Sequence, residues 1–217
     1  ARLVSKNRIA IPKRGYYVVV PIEYRSAGAP PPSWFIDGLM HHLNRQYYVG
    51  LLSAAALYGA AQQQPQEFQV VTDKPERPIR VGRGRIRFVV KKNIKQTLTT
   101  EVKTETGMMR VSTPETTALD LVRYRSAAAG LGNVAAVLAE LAERIDPQRL
   151  VEAARIEGER AYAQRLGYLL SHVGAATQAR ALAAWLVTMR PRRVPLRADG
   201  SINGHPTDPQ WRVIVNE

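Results

Sequence analysis

The stretch Met108–Val122, MMRVSTPETTALDLV, divides the chain into a strand-rich half before it and a helix-rich half after it. Met108–Ser112 has the composition of a short strand. Thr113 carries a hydroxyl that can cap a helix, Pro114 suits a first turn in which no amide donor is missed, and Glu115 falls near the positive end of the helix dipole. Leu119 and Val122 repeat at i, i+3 and set one inward face, with Asp120 and Arg123 beside it. By physics alone this is a well-capped strand-to-helix junction.

Working outward, the 217 residues and 45% hydrophobic content suffice for one large domain or two small ones. No apolar run approaches the length needed to cross a bilayer, and the first residues lack the apolar core of a signal peptide. The expected location is therefore the cytoplasm, with no membrane partner. The absence of cysteine excludes disulfides and thiolate metal sites. A formal net charge of +13 favours polyanionic partners, and its distribution is uneven. Six basic residues and one acid lie between Ala1 and Ala27, and nine and one between Lys74 and Lys95. Glu115 to Arg165 holds seven basic and eight acidic residues, so the helical half adds almost nothing.

At the start, Arg8–Ile11 and Tyr16–Val20 can pair as a hairpin around Pro12-Lys13-Arg14-Gly15. Ala1–Lys6 has the look of the last turn of a helix, with residues in front of it missing. A helix followed at once by a hairpin with a cationic tip is the tail of a winged helix-turn-helix, whose recognition helix enters the major groove while the wing touches backbone. On that reading Arg2, Lys6, Arg8, Lys13 and Arg14 are DNA contacts. On the other they are ordinary solvated charges.

Ala27–Pro32, AGAPPP, is a stiff connector that continues neither ladder nor helix, so a new domain is expected after it. Ser33 is positioned to cap a helix carrying Phe35, Ile36, Leu39 and Leu43, on which His41 and His42 point about 100° apart and make no metal pair. Tyr47–Leu51 reads as a short linker and Leu52–Ala61 as a small-residue helix. Strands are expected over Glu67–Thr72, Pro78–Val81, Arg85–Val90 and Thr97–Lys103, joining Met108–Ser112 in an antiparallel or mixed sheet. In the run from Gly84 to Lys92, GRIRFVVKK, Arg85 and Arg87 share one strand face and Ile86 and Phe88 the other. With Arg80, Arg83 and Lys91 they form a row that is either a solvated face or a surface for an anionic partner or DNA. After the junction, Leu131, Val134, Leu138, Leu141 and Ile145 mark one helix and Asp146-Pro147 caps the next. Tyr162, Leu166, Leu169 and Val173 mark a third, and Leu182, Trp185, Leu186 and Met189 a fourth. Val194–Leu196 and Trp211–Val215 read as two late strands. The expected class is α+β: the remnant of a winged helix-turn-helix, then a mixed sheet packed against a helical bundle.

The catalytic vocabulary is thin. There is no P-loop, dinucleotide turn, nucleophile elbow or His-Glu-x-x-His run. One pattern competes: Asp73 at a strand end, with Glu101 and Lys103 on one face of a later strand, has the acid, acid-x-lysine order of metal-dependent nucleases, in which carboxylates hold Mg²⁺ and the lysine stabilises or activates water. Acid-x-lysine is equally common on solvated strands, and His172 and His205 read as structural.

Several runs resemble the AbiEi antitoxins of bacterial abortive-infection E systems, which are type IV toxin–antitoxin regulators. They are Lys13–Arg25 (KRGYYVVVPIEYR), Trp34–Ala61 (WFIDGLMHHLNRQYYVGLLSAAALYGAA), Phe68–Asp73 (FQVVTD), Ser112–Tyr124 (STPETTALDLVRY), Gly130–Leu138 (GLGNVAAVL) and Gln164–Leu170 (QRLGYLL). They follow the family's order over most of the chain. The resemblance implies a winged helix-turn-helix that binds inverted repeats in its own promoter, ending here at residues 1–27 with Lys13 and Arg14 at the wing tip. A linker at 28–33 and a C-terminal antitoxin domain at 34–217 follow. It further implies a DNA-binding autorepressor, not an enzyme, that needs no cofactor, metal or catalytic residue. Its partners would be operator DNA and a nucleotidyltransferase-like toxin, opposed functionally with or without stable contact. The family's recognition helix would precede residue 1.

Overall fold

The computed structural model describes residues 2–60 and 65–216. Ala1 and Ala61, the ends of two expected helices, lie outside the described residues. The chain forms two compact units, one of Ala1–Ala54 with Gln63–Ser112 and the other of Ala55–Gln62 with Thr113–Glu217. Eight α-helices and a six-stranded mixed sheet, among the described residues, give the α+β class.

The first unit begins with the four-residue helix α1 (Arg2–Ser5) and the hairpin of β1 (Ile9–Lys13) and β2 (Tyr16–Val19). Lys13 pairs with Tyr16, so the turn is Arg14-Gly15 and Pro12 lies in the strand. The pairing register shifts between Ala10 and Lys13, and such an irregularity accommodates a residue with no N–H to donate. Helix α2 (Pro32–His42) starts on a proline with Pro31 as its cap, two residues before the expected cap Ser33. Fixed φ and a missing donor suit proline to that first position. Its buried side chains are Phe35, Ile36, Leu39 and Met40.

Tyr47–Leu51, expected as a linker, instead contains β3 (Tyr47–Val49), all three residues of which are buried. A strand covered on both faces shows no alternation, and a three-residue one is too short to display a period. The helix after it, α3 (Leu51–Leu57), ends earlier than expected. The remaining strands are β4 (Phe68–Thr72), β5 (Ile79–Val81), β6 (Gly84–Val90), β7 (Thr99–Thr104) and β8 (Gly107–Ser112). Their order is β5-β6-β4-β3-β8-β7, with β4–β6 and β3–β8 parallel and the other pairs antiparallel.

The second unit is built on α4 (Pro114–Arg123). Thr113 caps it by accepting the Thr116 amide, and every residue from Glu115 to Val122 is buried. The i, i+3 reading foresaw one inward face; the helix is instead central, flanked by three others. These are α5 (Leu131–Leu141), α6 (Pro147–Glu157) and α7 (Arg160–His172). The Asp146 carboxylate caps α6 by accepting the amides of Gln148 and Arg149 at 2.9 and 2.8 Å. Helix α8 (Ala176–Thr188) packs on α6 and α7. The late strands form a two-residue parallel pair, β9 (Val194–Pro195) with β10 (Val213–Ile214). Trp211 before β10 is 1% exposed, donates its indole N–H to Ser171 Oγ, and lies flat where a Cβ on Gly167 would stand. His172 holds the Tyr168 carbonyl at 2.8 Å, a structural role.

Candidate nucleic-acid interface

Hairpin pairing places Arg80 of β5 opposite Arg85 of β6, and β6 lays Arg87 beside Gln69 of β4. Residues opposite one another share a face, so Arg80, Arg85 and Arg87 project together. Gly82 and Arg83 form the turn between those strands. Gly82 has φ +54, and a Cβ there would collide with the backbone of Ala27–Ala29. The close approach lets the Arg83 N–H donate to the Ala27 carbonyl at 2.8 Å, fixing the turn beside the connector while its side chain stays exposed.

The row is partly neutralised. Glu67 Oε1 lies 2.9 Å from Arg85 Nε and Oε2 lies 3.5 Å from an Arg87 Nη. The first is a charge contact without the alignment of a hydrogen bond. Both arginines keep about two fifths of their side-chain surface, 42% and 41%. Arg80 and Arg83 are exposed and have no ion pair among the described residues. Lys91 does not belong to this surface. It is 4% exposed, with its ammonium 6.0 Å from the centre of the Tyr48 ring. The strand ends at Val90, and the strict alternation that would carry Lys91 outward ends with it.

The hairpin lies in the same unit and packs along β5. Arg2, Lys6, Arg8 and Arg14 are exposed. Lys13 is not free: its ammonium is 2.6 Å from Glu76 Oε1, and that contact holds the Glu76 carboxyl below its usual range against the opposing effect of burial. Opposite Arg14, the His42 ring approaches the Arg14 carbonyl at 3.3 Å, and His41 and His42 are both exposed. Sequence reasoning missed Glu67, Glu76 and also Arg110, which the β3–β8 register puts on the arginine face opposite Glu101. All three depend on pairings between strands distant in sequence, which no local pattern records.

The competing nuclease arrangement does not assemble. Asp73 follows β4, whereas Glu101 and Lys103 are on β7, three strand spacings away, roughly 14 Å. Asp73 accepts a hydrogen bond from the Thr72 hydroxyl at 3.3 Å, and Glu101 faces Arg110. Among the described residues no three His, Asp or Glu side chains are grouped as a metal would require.

No curated protein matches the chain. Among solved structures, the crystal structure of the RV2827C protein from Mycobacterium tuberculosis superposes with a TM-score of 0.65 at 15% identity, covering 95% of this chain and 75% of that one. That likeness is one of fold. The family model of the AbiEi antitoxin C-terminal domain matches residues 48–172, from the middle of β3 to the end of α7 and more than half of the sequence. The chain therefore belongs to the AbiEi antitoxin family of toxin–antitoxin systems.

Proposed function

We propose that the chain is a cytoplasmic, DNA-binding antitoxin that represses its own operon and counteracts a nucleotidyltransferase-like toxin without enzymatic activity of its own. Family membership supports the antitoxin role. One observation carries the DNA-binding part: a basic hairpin and an arginine row with two exposed members that make no ion pair among the described residues occur in one compact unit. Like charges set directly opposite on neighbouring strands, as Arg80 and Arg85 are, cost stability, and a polyanion relieves that cost. The working residues are Arg80, Arg83, Arg85 and Arg87, with Arg2, Lys6, Arg8 and Arg14 of the helix end and hairpin. The division at 28–33 separates a wing (1–27) from the antitoxin domain (34–217) in this reading, and inverted repeats in the operator are its DNA target. No helix among the described residues is long and apolar enough to cross a membrane.

The test is Arg80→Glu with Arg83→Glu, chosen because neither side chain pairs with a carboxylate among the described residues. The pair should leave the melting temperature near wild type, derepress an operator reporter and weaken operator binding. The wild-type chain incubated with plasmid and Mg²⁺ or Mn²⁺ should leave the DNA uncut. Full repression by the double variant would remove the arginine row from the reading; cleavage abolished by Glu101→Ala would overturn the non-enzymatic role.

A further inference from the structure

The second unit holds a charged concavity that the DNA reading does not use. It measures about 500 Å³, within the range of small-molecule sites. Arg125, Arg197 and Asp199 supply its charges, Ser126 a hydroxyl, and Gly130 and Gly132 at the start of α5 its smooth wall. Arg125 extends from the turn after α4, and Arg197 and Asp199 from the loop after β9.

Two guanidinium groups converge on one carboxylate oxygen. Asp199 Oδ1 is 2.6 Å from an Arg125 Nη and 3.8 Å from Arg197 Nε. Asp199 is the weakest tenant such a pair could have, since 64% of its side chain is exposed and exposed ion pairs are held loosely. One carboxylate against two arginines also leaves a charge of one uncompensated.

Behind this pair the positive charge continues. Arg165 of α7 is 9% exposed and donates its Nε–H to the Pro195 carbonyl at 2.8 Å, two residues before Arg197. Its guanidinium stands 5.8 Å from the centre of the Tyr162 ring and meets no carboxylate among the described residues. Burial pulls its pKa below the usual guanidinium range, the Tyr162 phenol partly offsets that, and the charge of Arg125 adds to it. Arg123, two residues before Arg125 in the chain, pairs with Glu157 and belongs to a different ion pair. A buried cation repelled by its neighbour and without a carboxylate is costly, and an anion held by that neighbour removes the cost.

We propose that this cavity binds the phosphoryl group of a small molecule, with Arg125 and Arg197 taking phosphate oxygens in place of Asp199. Phosphate fits better than carboxylate on two counts. It brings nearly two charges against the two arginines, and its three equivalent oxygens suit guanidinium forks that approach from different elements. The organic remainder of a phosphate monoester would lie along Leu131 and the glycines. There is room for it, since a Cβ on Gly132 would meet nothing within 4 Å. The amides of the first turn of α5 add to the site without defining it: Gly130 caps the helix with no side-chain acceptor, so those donors are not consumed by a cap.

Calorimetric titration of the full chain with AMP, inorganic phosphate and adenosine tests the assignment. AMP and phosphate should bind and adenosine should not; tighter binding of AMP identifies an organic monoester as the ligand, and equal binding identifies free phosphate. Arg125→Ala should weaken AMP about tenfold or more. Asp199→Asn should tighten it several-fold, because the internal competitor loses its charge. Gly132→Glu, whose side chain has space and whose backbone is unstrained, should block binding while melting like the wild type. It keeps the test sound if Arg125→Ala fails to fold. Adenosine binding as well as AMP, AMP affinity unchanged in Gly132→Glu, or no binding of AMP or phosphate at millimolar concentration by both wild type and Asp199→Asn would each overturn the proposal.

Discussion

Lys13 shows how one contact redefines a residue. As a letter in a turn it is a free cation at a hairpin tip, but in the folded chain it spends its charge on Glu76. The Glu76 carboxyl is held below its usual 4.5, first by the hydrogen bond from Lys13, which outweighs the opposing effect of burial. A depressed folded pKa means that the pair contributes stability above the unfolded value and loses it as pH falls through the folded one. The wild-type chain should therefore melt above Glu76→Gln at neutral pH, and the gap should close on acidification below 4.5. Thermal melts of both proteins across acid pH check this, and a gap that persists in strong acid would assign the difference to packing instead. Trp211 against Gly167 is a second case in which identity follows from a distant neighbour, since the glycine of QRLGYLL is small because an indole lies on it.

At the scale of elements, local chemistry was legible and pairing was not. The caps at Thr113 and Asp146 and the prolines behind them announced α4 and α6 to the residue, because capping is settled within four positions. Asp146→Ala removes an oxygen that accepts two amides and should cost about 1 kcal/mol, measured by urea denaturation. A loss indistinguishable from zero would mean that solvent caps α6 equally well. By contrast β3 sits among five other strands in sheet order, where the local sequence reads as a linker. Its three residues offer no period, and its position depends on Val70 and Val111, which lie far along the chain. The same blindness hid Glu67 between the two arginines and placed Lys91 on a surface from which it is buried.

For the whole molecule, a net charge of +13 favours a polyanionic partner. If about five of the exposed cations meet phosphates, the logarithm of the DNA association constant should fall with the logarithm of salt concentration with a slope of about −4.5. Fluorescence anisotropy over a range of salt, with operator and random duplexes, measures it; a flat response would exclude the electrostatic reading. The division of the chain bears on how this family can be dissected. Residues 55–62 belong with 113–217, and residues 63–112 return to the unit that begins the chain. The family model, which starts at residue 48 and stops at 172, takes part of each. A gene fragment beginning at Thr113 would leave behind Ala60, a buried member of the unit it seeks to isolate. The two bodies are thus interleaved along the chain, and a single cut after Ser112 does not part them cleanly.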